Sequence, residues 1–234
     1  MFFSVAMQLS NLSVIFITFL ASVQISTSIS NKQIEELKRT VEGSVFVKGT
    51  LDYEKRRLVH NALCEKIFPD LIVVPKSTYD VSNILKVSSK YNIPISVRSG
   101  GHSYTCTSIK QGGIHIDLRS MNKIELVSSH MAILGPGSTW NEVLDKIPPT
   151  DFTMLHGQCR NVGVGGYIAG GGMNFVGTYE KFGTAAEHVL KYTLVTANGT
   201  ILHISEGNTT VINPNTKTAH QINDHGLNFA IRGN

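Results

Sequence analysis

The sequence predicts an α+β fold of two subdomains, a small part containing a parallel strand, helix, strand unit and a larger, mainly antiparallel sheet with helices packed on one side. Three observations carry this. A short apolar run, Leu71-Ile-Val-Val74, is followed by a helix-period segment and a second strand, Pro94 to Val97, the order that favours parallel pairing. Beyond residue 120 the texture changes to short strand-like runs joined by turn dipeptides, of which Asn198-Gly199 is the clearest hairpin signal. Finally, 234 residues with 41% apolar and 16% charged side chains suffice for one core or two small subdomains sharing one, and exclude a disordered chain. The net charge of +4 comes from scattered Lys and Arg rather than a basic block, so a nucleic-acid partner has no support.

Taken from the start, residues 1–28 read as a secretory signal peptide. Leu12 to Val23 is too short to span a bilayer comfortably and is followed by small polar residues, with Ala21 and Val23, or Ser26 and Ser28, before a cleavage point. The stretch before it lacks Lys and Arg, unlike the usual signal; an uncleaved anchor or a buried segment are the alternatives. No stable membrane span is expected. The sequons at Asn198-Gly-Thr200 and Asn208-Thr-Thr210 fit a secreted or lumenal chain but also arise by chance.

Residues 29–66 form a lead-in: Asn31 to Glu42 is an amphipathic helix with Ile34, Leu37 and Val41 at helical spacing, and Gly43 to Pro69 gives mixed signals, loosely packed, with Tyr53 to Ile67 read as helical. The main domain spans 67–234. Its strand at Leu71–Val74 ends at Pro75, and a helix capped near Thr78 carries Val81, Ile84, Leu85 and Val87. A third strand, Gly113 to Leu118, puts Ile114, Ile116 and Leu118 on one face. Further on, Ile124–Val127 and Met131–Leu134 are strands about a turn, Thr139–Ile147 is a helix stopped by Pro148 and Pro149, and Val189–Ala197 pairs with Ile201–Ser205 through a type I′ turn.

Cys64, Cys106 and Cys159 are an odd set with no zinc spacing, and no metal site is expected. Pairing Cys64 with Cys106 would leave Cys159 over; buried thiols are an equal alternative.

Two glycine-rich stretches, Arg98-Ser-Gly-Gly-His-Ser-Tyr104 and Gly157 to Gly172, each hold one nucleophile, His102 and Cys159, among residues small enough for a large ligand to reach the backbone. Alone, either is simply a turn. Neither fits GxxxxGK[ST] or GxGxxG, since Ile168 stands where the third glycine belongs.

In order along the chain, Val97 to Tyr104, Gly113 to Leu118, Gly135-Pro-Gly137, Gln158-Cys159 with Val162-Gly-Val-Gly-Gly-Tyr167 and Gly170 to Gly172, Val195 to Gly199, and Phe229 to Gly233 resemble the PCMH-type FAD-binding domain of the vanillyl-alcohol-oxidase-type FAD-linked oxidases, in particular the berberine-bridge-enzyme-like branch. The resemblance implies FAD as cofactor, with His102 matching the histidine bonded to the flavin 8α-methyl carbon and Cys159 the cysteine that some members bond to C6; a simple thiol remains the alternative for Cys159. Imidazole and thiolate are both nucleophiles suited to an electron-poor ring. Ser99, Gly100, Gly101 and Ser103 would offer N–H groups to the pyrophosphate, and Val162, Gly163, Gly165 and Gly166 would let the chain pass close to the flavin. Arg98 either neutralises phosphate or is a structural ion-pair partner. Tyr104 and Tyr167 are counted among the cofactor-binding residues of these motifs and read as packing residues rather than catalysts, and His115, His156 and His188 as structural.

The sequence departs from the family pattern at Met173-Asn-Phe175, at Thr178 to Gly183 and at Glu187, where an Asp is usual, and it stops at Asn234 where related chains continue into a substrate-binding domain. The implied activity is oxidation of an alcohol, sugar or amine-type small molecule with oxygen as acceptor; the alternatives are a non-catalytic FAD-binding remnant and a small interaction domain. No residue is singled out as catalytic base.

Overall fold

The structure, a computed structural model, describes residues 28–147, 154–174, 179–223 and 226–232. All but the last residue of the stretch read as a signal lies outside them, as do Pro148, Pro149, Phe175, Thr178 and Gly233.

Helix α1 (Asn31–Thr40) starts in a capping box, Ser30 with Gln33, which satisfies backbone donors that the first turn cannot. Its buried Ile34 and Leu37, with Val41, pack into the first core beside Ile84, Val87, Leu71, Val73, Ile114 and Ile116. The mixed-signal segment is more ordered than expected. Strand β1 (Ser44–Val47) pairs antiparallel with β2 (Leu71–Val74), and helix α2 (Leu51–Arg57) begins earlier and ends sooner than the Tyr53–Ile67 span. Thr50 caps α2, and buried Tyr53 locks it by donating its hydroxyl to the Pro69 carbonyl at 2.6 Å. A single 3-10 turn at Ala62–Cys64 follows.

Helix α3 (Thr78–Tyr91), capped by Ser77, leads to β3 (Ile95–Arg98), and β4 (Ile114–Asp117) then enters between the two earlier strands. The order is β1-β2-β4-β3, so β2 and β3 are parallel members of one sheet but each pairs with β4 rather than with the other. All four β4 residues are buried, as expected of a strand covered on both faces, so His115 and Asp117 are interior along with Ile114 and Ile116.

Strands β5 (Ile124–Ser128) and β6 (Met131–Leu134) form a hairpin, followed by α4 (Trp140–Lys146) behind a Thr139/Glu142 capping box. The second glycine-rich stretch is not only loop: it contains α5 (Val164–Ala169). After α6 (Tyr179–Phe182), strands β7 (Lys191–Val195), β8 (Ile201–Ser205), β9 (Asn208–Ile212) and β10 (Ala219–Ile222) make a fully antiparallel sheet in the order β10-β9-β8-β7, and α7 (Gly226–Ile231) follows. The β7–β8 connection is five residues rather than a two-residue I′ turn. Gly199 has φ +83° but Asn198 is not in the left-handed region, while Thr196 and Thr200 close the loop by hydrogen bonds and Asn198 caps Thr200. This turn docks on α3, where Ser82 donates to the Gly199 carbonyl. Among the described residues no helix is long and apolar enough to cross a membrane.

Candidate functional site

Strand β3 delivers the first glycine-rich loop from the carboxyl edge of the parallel sheet, the edge where ligands gather in open α/β sheets. Arg98, its last residue, is buried. Its guanidinium donates to the carbonyls of Arg56 (2.9 Å) and Leu58 (2.7 Å), so it is held by carbonyls rather than by the carboxylate of an ion pair. Burial first, then Arg119 and Arg56, push its pKa down to about 10 against the opposing pull of Asp117. Beside it, fully buried Asp117 binds Arg56 (3.0 Å) and Arg119 (2.7 Å); burial raises its pKa, but the hydrogen bonds and charge of Arg119, with Arg98, hold it below the usual range. One carboxylate among three guanidiniums leaves a positive surplus under the loop, and Arg98 Nε lies against the backbone of Gly101, where an added Cβ would come within 2.8 Å.

Across the loop the two glycine-rich stretches meet. A Cβ on Gly100 would stand 2.3 Å from Gly163 N, and one on Gly163 would stand 2.1 Å from Gly100 N; only glycine permits this approach. Ser99 Oγ donates to Pro136 O (2.6 Å), the carbonyl that Gly165 also abuts, so Gly135-Pro-Gly137 backs both stretches. Among the described residues, the N–H groups of Gly100, Gly101, His102 and Ser103 donate to no described acceptor, nor do those of Gly163, Gly165 and Gly166, and α5 opens without a side-chain cap. Two runs of unclaimed donors therefore adjoin at one backbone contact, beside surplus positive charge.

His102 is half-buried, and burial, then His60 and Arg98, lower its pKa, favouring the uncharged imidazole with a free lone pair. Its ring stacks on His60, with centroids 3.9 Å apart and planes 14° apart. Sequence reading missed His60, which lies in the lead-in; the only signal was its closeness to Cys64, whose disulfide to Cys106 draws the two segments together. Cys159 is free and exposed. Its turn is held by Val162 N donating to Cys159 O, Trp140 N to Val162 O and Asn141 N to Arg160 O.

Tyr167 packs edge-on against buried Trp140 at 5.2 Å, and its buried hydroxyl lacks a partner among the described residues. Tyr104 is 81% exposed, and its backbone is held by Asn61 Nδ2 donating to Tyr104 O at 2.8 Å. Ser103 Oγ is turned into its own loop, toward Thr107. His115, His156 and His188 are bonded to Ser96, Gly157 O and Phe182 O. Glu187 caps Thr184, a local task that accounts for a longer carboxylate arm there.

Residues 69–205 match the family described as FAD binding domain. The chain is 35% identical over 150 residues to reticuline oxidase of Eschscholzia californica, covering 62% of this chain and 27% of that protein. It is 32% identical over 164 residues to berberine bridge enzyme-like 23 of Arabidopsis thaliana, covering 67% and 30%. Among solved structures, Physcomitrella patens BBE-like 1 superimposes with a TM-score of 0.70 at 26% identity, over 86% of this chain and 40% of that one. The chain thus spans less than half the length of the relatives it matches. The donor-lined meeting of two glycine-rich stretches fits FAD, and the chain belongs to the FAD binding domain family, on the berberine-bridge-enzyme-like branch of the PCMH-type FAD-linked oxidases.

Proposed function

We propose that this chain is the flavin-holding part of a secreted FAD-linked oxidase, with FAD attached covalently through His102 and a second link available at Cys159. The observation that supports this most is the contact of Gly100 with Gly163, which adjoins two runs of unclaimed backbone donors beside a half-buried, uncharged-leaning histidine. Residues 100–103 bind the pyrophosphate through N–H groups, and the surplus charge of Arg56, Arg98 and Arg119 over Asp117 favours the anion there. Gly163, Gly165 and Gly166 let the backbone approach the flavin, and Gly166 has open space where a side chain would be. When bound, the flavin supplies hydride acceptance from the substrate and return of electrons to an acceptor, for which oxygen is the choice here.

The FAD of Acremonium strictum glucooligosaccharide oxidase is 6-S-cysteinyl and 8α-N1-histidyl, the pair of attachments that Cys159 and His102 would supply. An alcohol, sugar or amine-type substrate fits the reading, and none of the described residues is placed as its catalytic base. Secretion draws support from the Cys64–Cys106 disulfide, a bond of oxidising compartments. A flavin-binding portion without turnover of its own is the second reading. The test is retention of yellow colour and added FAD mass after acid denaturation of the chain secreted from a eukaryotic host. Retention is expected in the wild type; a folded chain without flavin contradicts the assignment. Turnover with candidate alcohols, sugars and amines separates the two readings.

A further inference from the structure

We propose that His60 is a positioning residue for His102: its imidazole, laid face to face on the His102 ring, fixes the plane in which His102 meets the flavin and so sets how fast the covalent link forms. The inference rests on the attachment reading above. His60 belongs to none of the glycine-rich stretches, yet residues 60–64 are fastened along the 101–106 loop at four points. His60 N donates to Gly101 O (3.1 Å), the two imidazoles stack at 3.9 Å, Asn61 Nδ2 donates to Tyr104 O (2.8 Å), and Cys64 is bonded to Cys106. The stack is not the by-product of a dense core, because His60 is exposed on its outer side. Neither imidazole makes a hydrogen bond to a described residue, so the nucleophilic nitrogens of His102 are unblocked while the ring itself is held.

Holding a nucleophile in its attacking orientation is worth orders of magnitude in rate, because the ordering is done before the reaction begins. The groups whose charge bears on His102 are His60 and Arg98; both, together with burial, disfavour its protonation. Joining a ring nitrogen of His102 to the 8α carbon removes one N–H and one C–H hydrogen. The two protons and two electrons so released would reduce dioxygen to hydrogen peroxide.

The experiment follows the rate at which denaturation-resistant flavin appears when FAD is added to the apo chain, across pH 5 to 9, for wild type, His60→Ala and His60→Phe, with non-covalent FAD affinity and thermal midpoint measured alongside. His60→Ala is expected to slow attachment about tenfold while binding FAD normally, and His60→Phe, which keeps a flat ring to stack, to recover most of the rate. In both variants the fall in rate on acidification moves to higher pH, since His102 loses a neighbour that opposes its protonation. If His60→Ala does not fold, His60→Asn carries the same expectation. Attachment by His60→Ala at the wild-type rate, or a His60→Phe no faster than His60→Ala, overturns this role. A wild type that binds FAD but never retains it after denaturation overturns the attachment reading itself.

Discussion

The two glycine-rich stretches touch at Gly100 and Gly163 but are held in opposite ways. The first is fastened from outside itself: Arg98 reaches carbonyls of Arg56 and Leu58, Asn61 holds Tyr104 O, and the disulfide ties Cys106 to Cys64. The second is fastened mainly by the segment just before it, through Ser138, Trp140 and Asn141, and it leaves Cys159 exposed and unpaired. The difference separates a pre-set nucleophile from an accessible one. His102 is stacked and its charge is suppressed, whereas the Cys159 thiol is exposed and makes no disulfide.

Breaking the outside fastening should have the largest effect. Replacing both Cys64 and Cys106 by Ser releases a loop of 42 residues, and the chain-entropy argument expects a loss of about 4 kcal/mol, read from urea unfolding. Gly100→Ala attacks the meeting point directly: its Cβ would lie 2.3 Å from the backbone of Gly163, for a cost of about 3 kcal/mol and loss of flavin retention while the second stretch's own hydrogen bonds survive.

Under the first loop lies His115, buried beside Ser96 and pushed by burial from 6.5 to about 4. The folded protein therefore refuses a proton that the unfolded chain accepts below pH 6.5, so stability is fully present above that pH and falls as pH drops toward 4, by about 3 kcal/mol at the lower end. Urea midpoints of wild type and His115→Gln over this range check it, since the variant should lose that part of the slope. The smallest effect is expected at the second stretch: Cys159→Ala, at an exposed thiol, should change stability by less than about 0.5 kcal/mol yet remove one flavin link, leaving the His102 link intact.

Much of this was legible from periodicity and spacing. Ile34 and Leu37 announced α1, the run Leu71–Val74 announced a buried strand, and the ordered glycine motifs announced the flavin domain. What stayed hidden depends on tertiary partners. Strand β1 is half-exposed, with only a weak alternation of its own, and exists because β2 offers it an edge. The insertion of β4 between β2 and β3 leaves no local trace, and β9 and β10 are mostly polar strands that take their order from β8. At the site, the carbonyls that hold Arg98 lie some forty positions away, Tyr104 is exposed on a loop held through its backbone, and His60 gains meaning only through a stack that sequence separation conceals.

The most direct test of the account is the intact mass and visible absorbance, under denaturing conditions, of the secreted wild type beside His102→Ala, Cys159→Ala and the double variant. The account predicts one added FAD in the wild type and in Cys159→Ala, a shifted flavin spectrum when either link is removed, and no retained flavin in the double variant. A folded wild type without denaturation-resistant flavin, or a double variant that still retains it, would contradict the assignment of these two side chains.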